Sequence, residues 1–310
     1  MGELRVERFG RYELLIPVEF SGFARLYLAR DTEAPGASTP VLLKRLSEVN
    51  SGDAAFIEKF LTSARRTAKS HHDNIARTLD FGVVGGEYFL AREWVDGRDL
   101  MGVRHSARRR GLKGMPEPIA VSVTRDVCQA LHHAHTRMGM LHGSLSPRHV
   151  LLGFGGAVKV IDFSHDWRML SPDTVSRLNI MTGKLQYFTP EWAAGLAEDA
   201  RSEVYLTGVM LYQFLCGELH LRGDSDPARL DEVRQGRLIP ARQHKPSLDE
   251  ELLGILQRAL MTSPEDRYPS AQALRDALSD WMSAHAPSFH ADDRGQWLVR
   301  LRQESEGRGQ

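Results

Sequence analysis

The chain has 310 residues, of which 42% are hydrophobic and 26% charged. That is ordinary globular usage, and it excludes a collagen-like, mucin-like or wholly disordered protein. Lys and Arg number 40 and Asp and Glu number 40, so no global field exists to grip nucleic acid or anionic lipid.

The length predicts two packing units. Two cysteines, Cys128 and Cys216, cannot build a disulfide framework, and the first residues carry no apolar signal stretch. Both point to a reduced, cytoplasmic setting. Residues 12–16 and 24–29 alternate with the two-residue period of half-buried strands, with a turn at Ser21-Gly22. Residues 31–40 are rich in Pro, Gly, Ser and Thr and predict a surface loop. Residues 41–44 read as a third strand. Between 53 and 70, Phe56, Ile57, Phe60, Leu61, Ala64 and Ala68 fall at helical spacing. Residues 75–81 and 87–95 predict two further strands.

From about residue 97 the pattern becomes helical. Arg104, Arg108, Arg109, Arg110 and Lys113 predict a basic loop, either solvated or docking an acidic partner. Helices are expected over 118–135, 203–215, 250–261 and 270–282. Short strands at 150–152 and 158–161 flank the turn Gly153–Gly156. The apolar run from Val204 to Cys216 is too short for a membrane span of about 20 residues. Beyond 286 the chain is polar and charged, which predicts a partly disordered tail. Its one apolar piece, 297–301, would fold back or meet a partner. The order of elements gives an α+β fold, a small sheet lobe before a larger helical lobe with a cleft between them.

Several segments, in order, resemble the landmarks of a bacterial-type serine/threonine protein kinase domain. Val41-Leu42-Leu43-Lys44 resembles its phosphate-pairing lysine strand. Arg92-Glu93-Trp94-Val95 resembles the hinge, and His142 to Leu152 the catalytic loop. Asp162-Phe163-Ser164 stands at the metal-binding triplet, and Thr189-Pro190-Glu191 at the end of the activation segment. Glu203 opens the segment resembling the central helix, and Arg267 the late arginine that pairs with Glu191. The resemblance implies an extension over 1–10, a kinase-like domain over 11–283 and a polar tail over 284–310. The small lobe would cover about 11–93 and the large lobe about 97–283.

The departures bear on chemistry. Kinase catalysis needs a positioned base, metal ions, a phosphate clamp and a lysine–glutamate pair. The base position is Ser144, neutral near pH 7. The loop lysine becomes Ser146, and the second metal ligand becomes His149, a poor partner for Mg²⁺. Asp162 remains as a weak Mg²⁺ ligand. The nearby His132, His133, His135 and His142 invite a zinc site, but the resemblance accounts for His135 and His142 as loop supports. The three phosphate-loop glycines become Glu19, Ser21 and Ala24, leaving Glu19 to repel phosphate. The helix glutamate's slot falls on Ser63, so Lys44 loses its usual partner and is expected near solvent. The adenine-roof alanine becomes Leu42, and the residue before Glu93 is Arg92; both add bulk. Lys44, Asp162, Glu93 and Val95 are the nucleotide-binding remnant. Glu191, Arg267, Glu203, His142 and Phe163 are retained architecture.

This pattern predicts a pseudokinase, a signalling scaffold or allosteric regulator of a protein partner. No cofactor, nucleic acid or membrane span is expected, and ATP with Mg²⁺ would bind weakly. The alternatives are an active serine/threonine kinase with atypical catalytic residues, and a kinase-fold transferase of another group such as a nucleotidyl.

Overall fold

The computed structural model describes residues 7–20, 24–33, 39–47, 54–163 and 187–306. The Ser21-Gly22 turn, the Glu19 side chain and Ser164 lie outside the described residues. The chain divides into two compact units. Among the described residues the first holds those up to 72, Ala76–Val95 and Phe163, and the second holds the rest.

In the first unit run β1 (Glu7–Phe9), β2 (Tyr12–Phe20), β3 (Ala24–Asp31), β4 (Pro40–Leu46), α1 (Ala54–Ala68), β5 (Thr78–Val84) and β6 (Glu87–Glu93). The strands form one antiparallel sheet in the order β1-β2-β3-β4-β6-β5. Alternation along each strand sorts the side chains onto two faces. Tyr27, Ala29, Val41, Leu43, Phe89 and Ala91 join Phe9, Tyr12 and Leu14 in one cluster. Ala24, Leu46 and Leu90 meet Phe56, Ile57, Phe60 and Ala64 of α1 in another. Arg45 closes the first cluster at its rim. Its guanidinium lies 4.5 Å from the Phe9 ring centroid and donates to both carboxylate oxygens of Glu87 and to Glu7.

The second unit begins with β7 (Gly97–Asp99), α2 (Leu100–Arg109) and α3 (Glu117–His133). Strands β8 (Val150–Gly153) and β9 (Val158–Val160) follow and make a three-stranded sheet with β7. Then come α4 (Pro190–Ala193), α5 (Ala200–Cys216), α6 (Asp226–Arg234), α7 (Ala241–His244), α8 (Glu250–Ala259), α9 (Ala271–His285) and α10 (Ala291–Glu306). Nearly every residue of α5 is buried. It is apolar on all sides because it crosses the core rather than lying on it. Asp199 and Ser202 form a capping box at its start, and Gly217 ends it in the left-handed conformation. No helix among the described residues is long and apolar enough to cross a membrane.

Two expectations are corrected. The basic segment expected as a loop is largely the helix α2, capped by the Asp99 carboxylate, which accepts from Gly102 N–H. The tail expected to be partly disordered contains α10, whose Trp297, Leu298 and Leu301 are buried. Arg294, 4% exposed, fastens it: Nη1 donates to Asp126 at 2.7 Å and to the Ser122 carbonyl at 3.2 Å, and Nε donates to the Gly156 carbonyl at 2.9 Å. Two glycines let the backbones touch. A Cβ at Gly156 would stand 1.9 Å from the Ala291 carbonyl oxygen, and one at Gly295 would stand 2.4 Å from that of Phe154.

Removing one partner of a buried ion pair costs about 3–5 kcal/mol. Asp126 keeps a contact with Arg125, so Arg294→Ala is expected at the low end, about 3 kcal/mol. Thermal melting measures this, and hydrogen exchange should show α10 losing protection. Unchanged melting with a fully protected α10 would contradict the fastening role.

Candidate functional site

Strand register assembles the remnant residues of the first unit. Leu42 lies opposite Leu28 and Arg92, and Lys44 opposite Leu26 and Leu90, so all share the face that carries α1. Leu42 is 6% exposed, Lys44 3% and Arg92 5%. Lys44 is therefore buried, not near solvent as the sequence suggested. Leucines flank it on both neighbouring strands, and its side chain follows the pleat into the covered face. Glu93 is half-buried, with Oε1 accepting from the Arg77 N–H at 3.0 Å. Val95 is also half-buried.

Helix α1 presents Ser63, 3% exposed, at the position of the expected glutamate. Its Oγ donates to the Phe163 carbonyl at 2.5 Å. Behind it Thr67 Oγ1 donates to the Ser63 carbonyl at 3.0 Å, and Thr78 Oγ1 donates to Thr67 Oγ1 at 2.9 Å. Three buried hydroxyls thus run from β5 through α1 to the residue after Asp162. Glu58, the other acid on α1, is exposed. The sequence signal for this line was available only as three small β-hydroxy residues on positions otherwise expected to be apolar or acidic.

In the second unit the loop from His142 to His149 is held by its own backbone. His142 is fully buried, and burial pushes its imidazole down to about 4, so the ring is neutral. Nε2 donates to the Ile161 carbonyl at 2.9 Å, while Nδ1 accepts the Ser144 N–H at 3.3 Å. His149 Nδ1–H points at the Ser144 carbonyl, 2.6 Å away, with Ser146 Oγ at 3.4 Å. Ser144 Oγ is buried and finds no hydrogen-bond partner among the described residues. Glu203, on α5, accepts the Gly143 N–H at 2.8 Å and bonds His135 Nε2 at 2.6 Å. Asp162 has φ of +61°, the one left-handed non-glycine among the described residues. Such a conformation is sparsely populated and persists only where its surroundings impose it. Phe163, next in the chain, is 2% exposed.

Glu191 and Arg267 meet as the resemblance implies. Arg267 Nη1 donates to Glu191 Oε1 at 2.6 Å and to the Arg201 carbonyl at 3.0 Å. Nε and Nη2 donate to the carbonyls of Met261 and Thr262, each at 2.7 Å. Gln213 of α5 collects two donors that sequence reasoning did not connect, Arg104 Nη1 at 2.6 Å and Tyr187 OH at 2.7 Å. Among the described residues no group of three His, Cys, Asp or Glu is placed to hold a metal ion.

Arg267→Ala strands Glu191, which is expected to cost about 3–5 kcal/mol, a melting shift of roughly 6–20 °C. Lys44→Ala removes a charge whose burial is itself unfavourable, so a smaller shift is expected. Parallel melting curves test the order. Equal shifts, or a larger one for Lys44→Ala, would place the cleft-side lysine among the supports of the fold.

Comparison with known proteins agrees with this geometry. The protein kinase domain model matches residues 25–279. The chain is 32% identical over 304 residues to tyrosine-protein kinase MasK of Myxococcus xanthus, covering 94% of this chain and 46% of that protein. It is 30% identical over 282 residues to serine/threonine-protein kinase PknB of Mycobacterium leprae, covering 89% and 44%. The chain thus spans about half the length of these curated relatives. The crystal structure of the Mycobacterium tuberculosis PknI kinase domain superposes with a TM-score of 0.67 at 25% identity, covering 90% of this chain and 99% of that one. The sheet unit, the helical unit built around α5 and the ordered landmarks therefore have one source: the chain belongs to the protein kinase domain family.

Proposed function

We propose that the chain is a pseudokinase, retained to bind and regulate a protein partner in signalling rather than to transfer phosphate. The observation that carries this is Ser144. It stands at the position of the catalytic base, and its hydroxyl is buried and without a partner among the described residues. A neutral hydroxyl cannot take a proton as a carboxylate does, and losing a general base alone costs a factor of about 10²–10⁴. The neighbouring positions add no substitute, because Ser146 is neutral and His149 spends Nδ1 on the loop backbone. Asp162 is then the one oxygen ligand of the motif, a donor set that does not fit paired Mg²⁺ ions. Leu42 and Arg92 put bulk on the sheet face where adenine would lie, and Glu19 would oppose phosphate.

The second reading is an active kinase with atypical catalytic residues. It is favoured by the presence of Lys44 and Asp162 and by the kinase names of the relatives. Because one relative is named a tyrosine kinase and another a serine/threonine kinase, the substrate hydroxyl would be open.

The purified protein is expected to show no transfer of radiolabelled γ-phosphate to itself or to generic protein substrates. Transfer that vanishes in Lys44→Ala would establish the second reading. Calorimetry is expected to find weak or absent ATP binding with no gain from Mg²⁺. A low-micromolar, Mg²⁺-dependent dissociation constant would overturn the view that Leu42, Arg92 and Glu19 disable the nucleotide site.

A further inference from the structure

Away from the catalytic-loop residues, α10 and the turn between β8 and β9 enclose a groove of about 420 Å³. One wall is a single stripe of α10, made of Asp292, Gln296, Val299 and Arg300. These fall at i, i+4, i+7 and i+8, so they share a helix face about 12 Å long. The other wall is Phe154 and Gly155 of the turn. The walls are fixed before any ligand arrives. Arg294 ties α10 to Gly156, Ser122 and Asp126, and the Gly156 and Gly295 backbones leave no room for a Cβ.

The groove is electrically lopsided. At one end stand Arg300 and Arg302, the latter with its guanidinium 5.2 Å from the Phe154 ring centroid. Arg110 Nη1 donates to the Arg300 carbonyl at 3.1 Å, which brings the end of α2 alongside with exposed Arg109 and Lys113. Arg108, 73% exposed at its side chain, has Glu218 at 3.9 Å. Asp292 marks the opposite end. A chain with no net charge has therefore concentrated cations beside an apolar wall. Cations scattered for solubility would not need that wall.

We propose that this groove docks a short acidic peptide segment of a protein partner. An apolar side chain of the peptide sits against Phe154 and Val299, and its carboxylates meet Arg300 and Arg302. Asp292 and the short apolar wall disfavour a nucleic-acid backbone, which would present phosphates along the whole length. The proposal goes beyond the pseudokinase reading and stands whether or not the domain transfers phosphate.

The probe is a fluorescent eight-residue peptide of Asp and Glu around a central Leu-Phe, followed by anisotropy with the full chain. Saturable binding that weakens with salt is expected. The double variant Arg300→Glu/Arg302→Glu should bind at least tenfold more weakly while melting like the parent. Gly155→Trp provides a second route. A Cβ there meets nothing within 4 Å, so the fold should tolerate the change while the groove fills, again with at least tenfold loss. No saturable binding, or parental affinity in both variants, would overturn the proposal. So would equal affinity for the matching Lys peptide, for an acidic peptide lacking Leu-Phe, or for a single-stranded oligonucleotide. Sedimentation showing a second copy seated on this face would overturn it in favour of self-association.

Discussion

The second unit depends on a carboxylate held almost out of reach of water. Glu203 sits on α5, a helix with nearly every residue buried, and is 3% exposed. One oxygen accepts the Gly143 N–H and the other meets His135. A buried carboxylate with those donors is stable; without them it carries a large desolvation cost. The fold therefore cannot place α5 correctly without also placing the loop from His142 to His149. His142 extends the constraint by bridging the Ser144 N–H and the Ile161 carbonyl, and the left-handed Asp162 follows directly. Geometry that looks catalytic is here imposed by the helix core and does not require that chemistry occur.

The same distinction separates the buried charges from the substituted ones. Arg267–Glu191, Arg294–Asp126 and Glu203–His135 are each nearly dry, and each draws further backbone hydrogen bonds. Losing half of such a pair unfolds structure, so these residues persist regardless of activity. Ser63 shows the other outcome. A glutamate on α1 would need a cation, whereas a serine needs only the Phe163 carbonyl, and the Thr67–Thr78 hydrogen bond continues the line. A neutral hydrogen bond replaces an ion pair and does its positioning work within the first unit without a charged partner.

How much of this was legible depended on whether a pattern carried it. The strands of the first unit followed from two-residue alternation, and α1 from apolar residues at helical spacing. The start of α5 and the Glu191–Arg267 meeting followed from landmark order. What failed to show were contacts that leave no periodicity. α2 carries so many arginines that it read as a loop, and only its Asp99 cap marks it as a helix. α10 read as a disordered tail because its polar exposed face dominates its composition. Its docking rests on Arg294 and on two glycines whose importance is backbone proximity, which no hydrophobic pattern encodes. The burial of Lys44 was missed because a long cationic side chain is ordinarily assigned to solvent, while strand parity between Leu26 and Leu90 decides otherwise.

Parity also explains why the substitutions on β4 and β6 act together. Leu42 and Arg92 face each other across the pair, so changing either alone would leave the other's bulk on the shared face. A small residue opposite Arg92 would open space beside a buried guanidinium and admit water to it. A leucine instead fills that space and shields the apolar stem of the arginine. The two positions are thus coupled through one packed surface, and neighbouring substitutions in contact are not additive. Reversing the face toward nucleotide binding would require both to change at once. That coupling makes the loss of the nucleotide face a stable state of the sheet rather than a single reversible replacement.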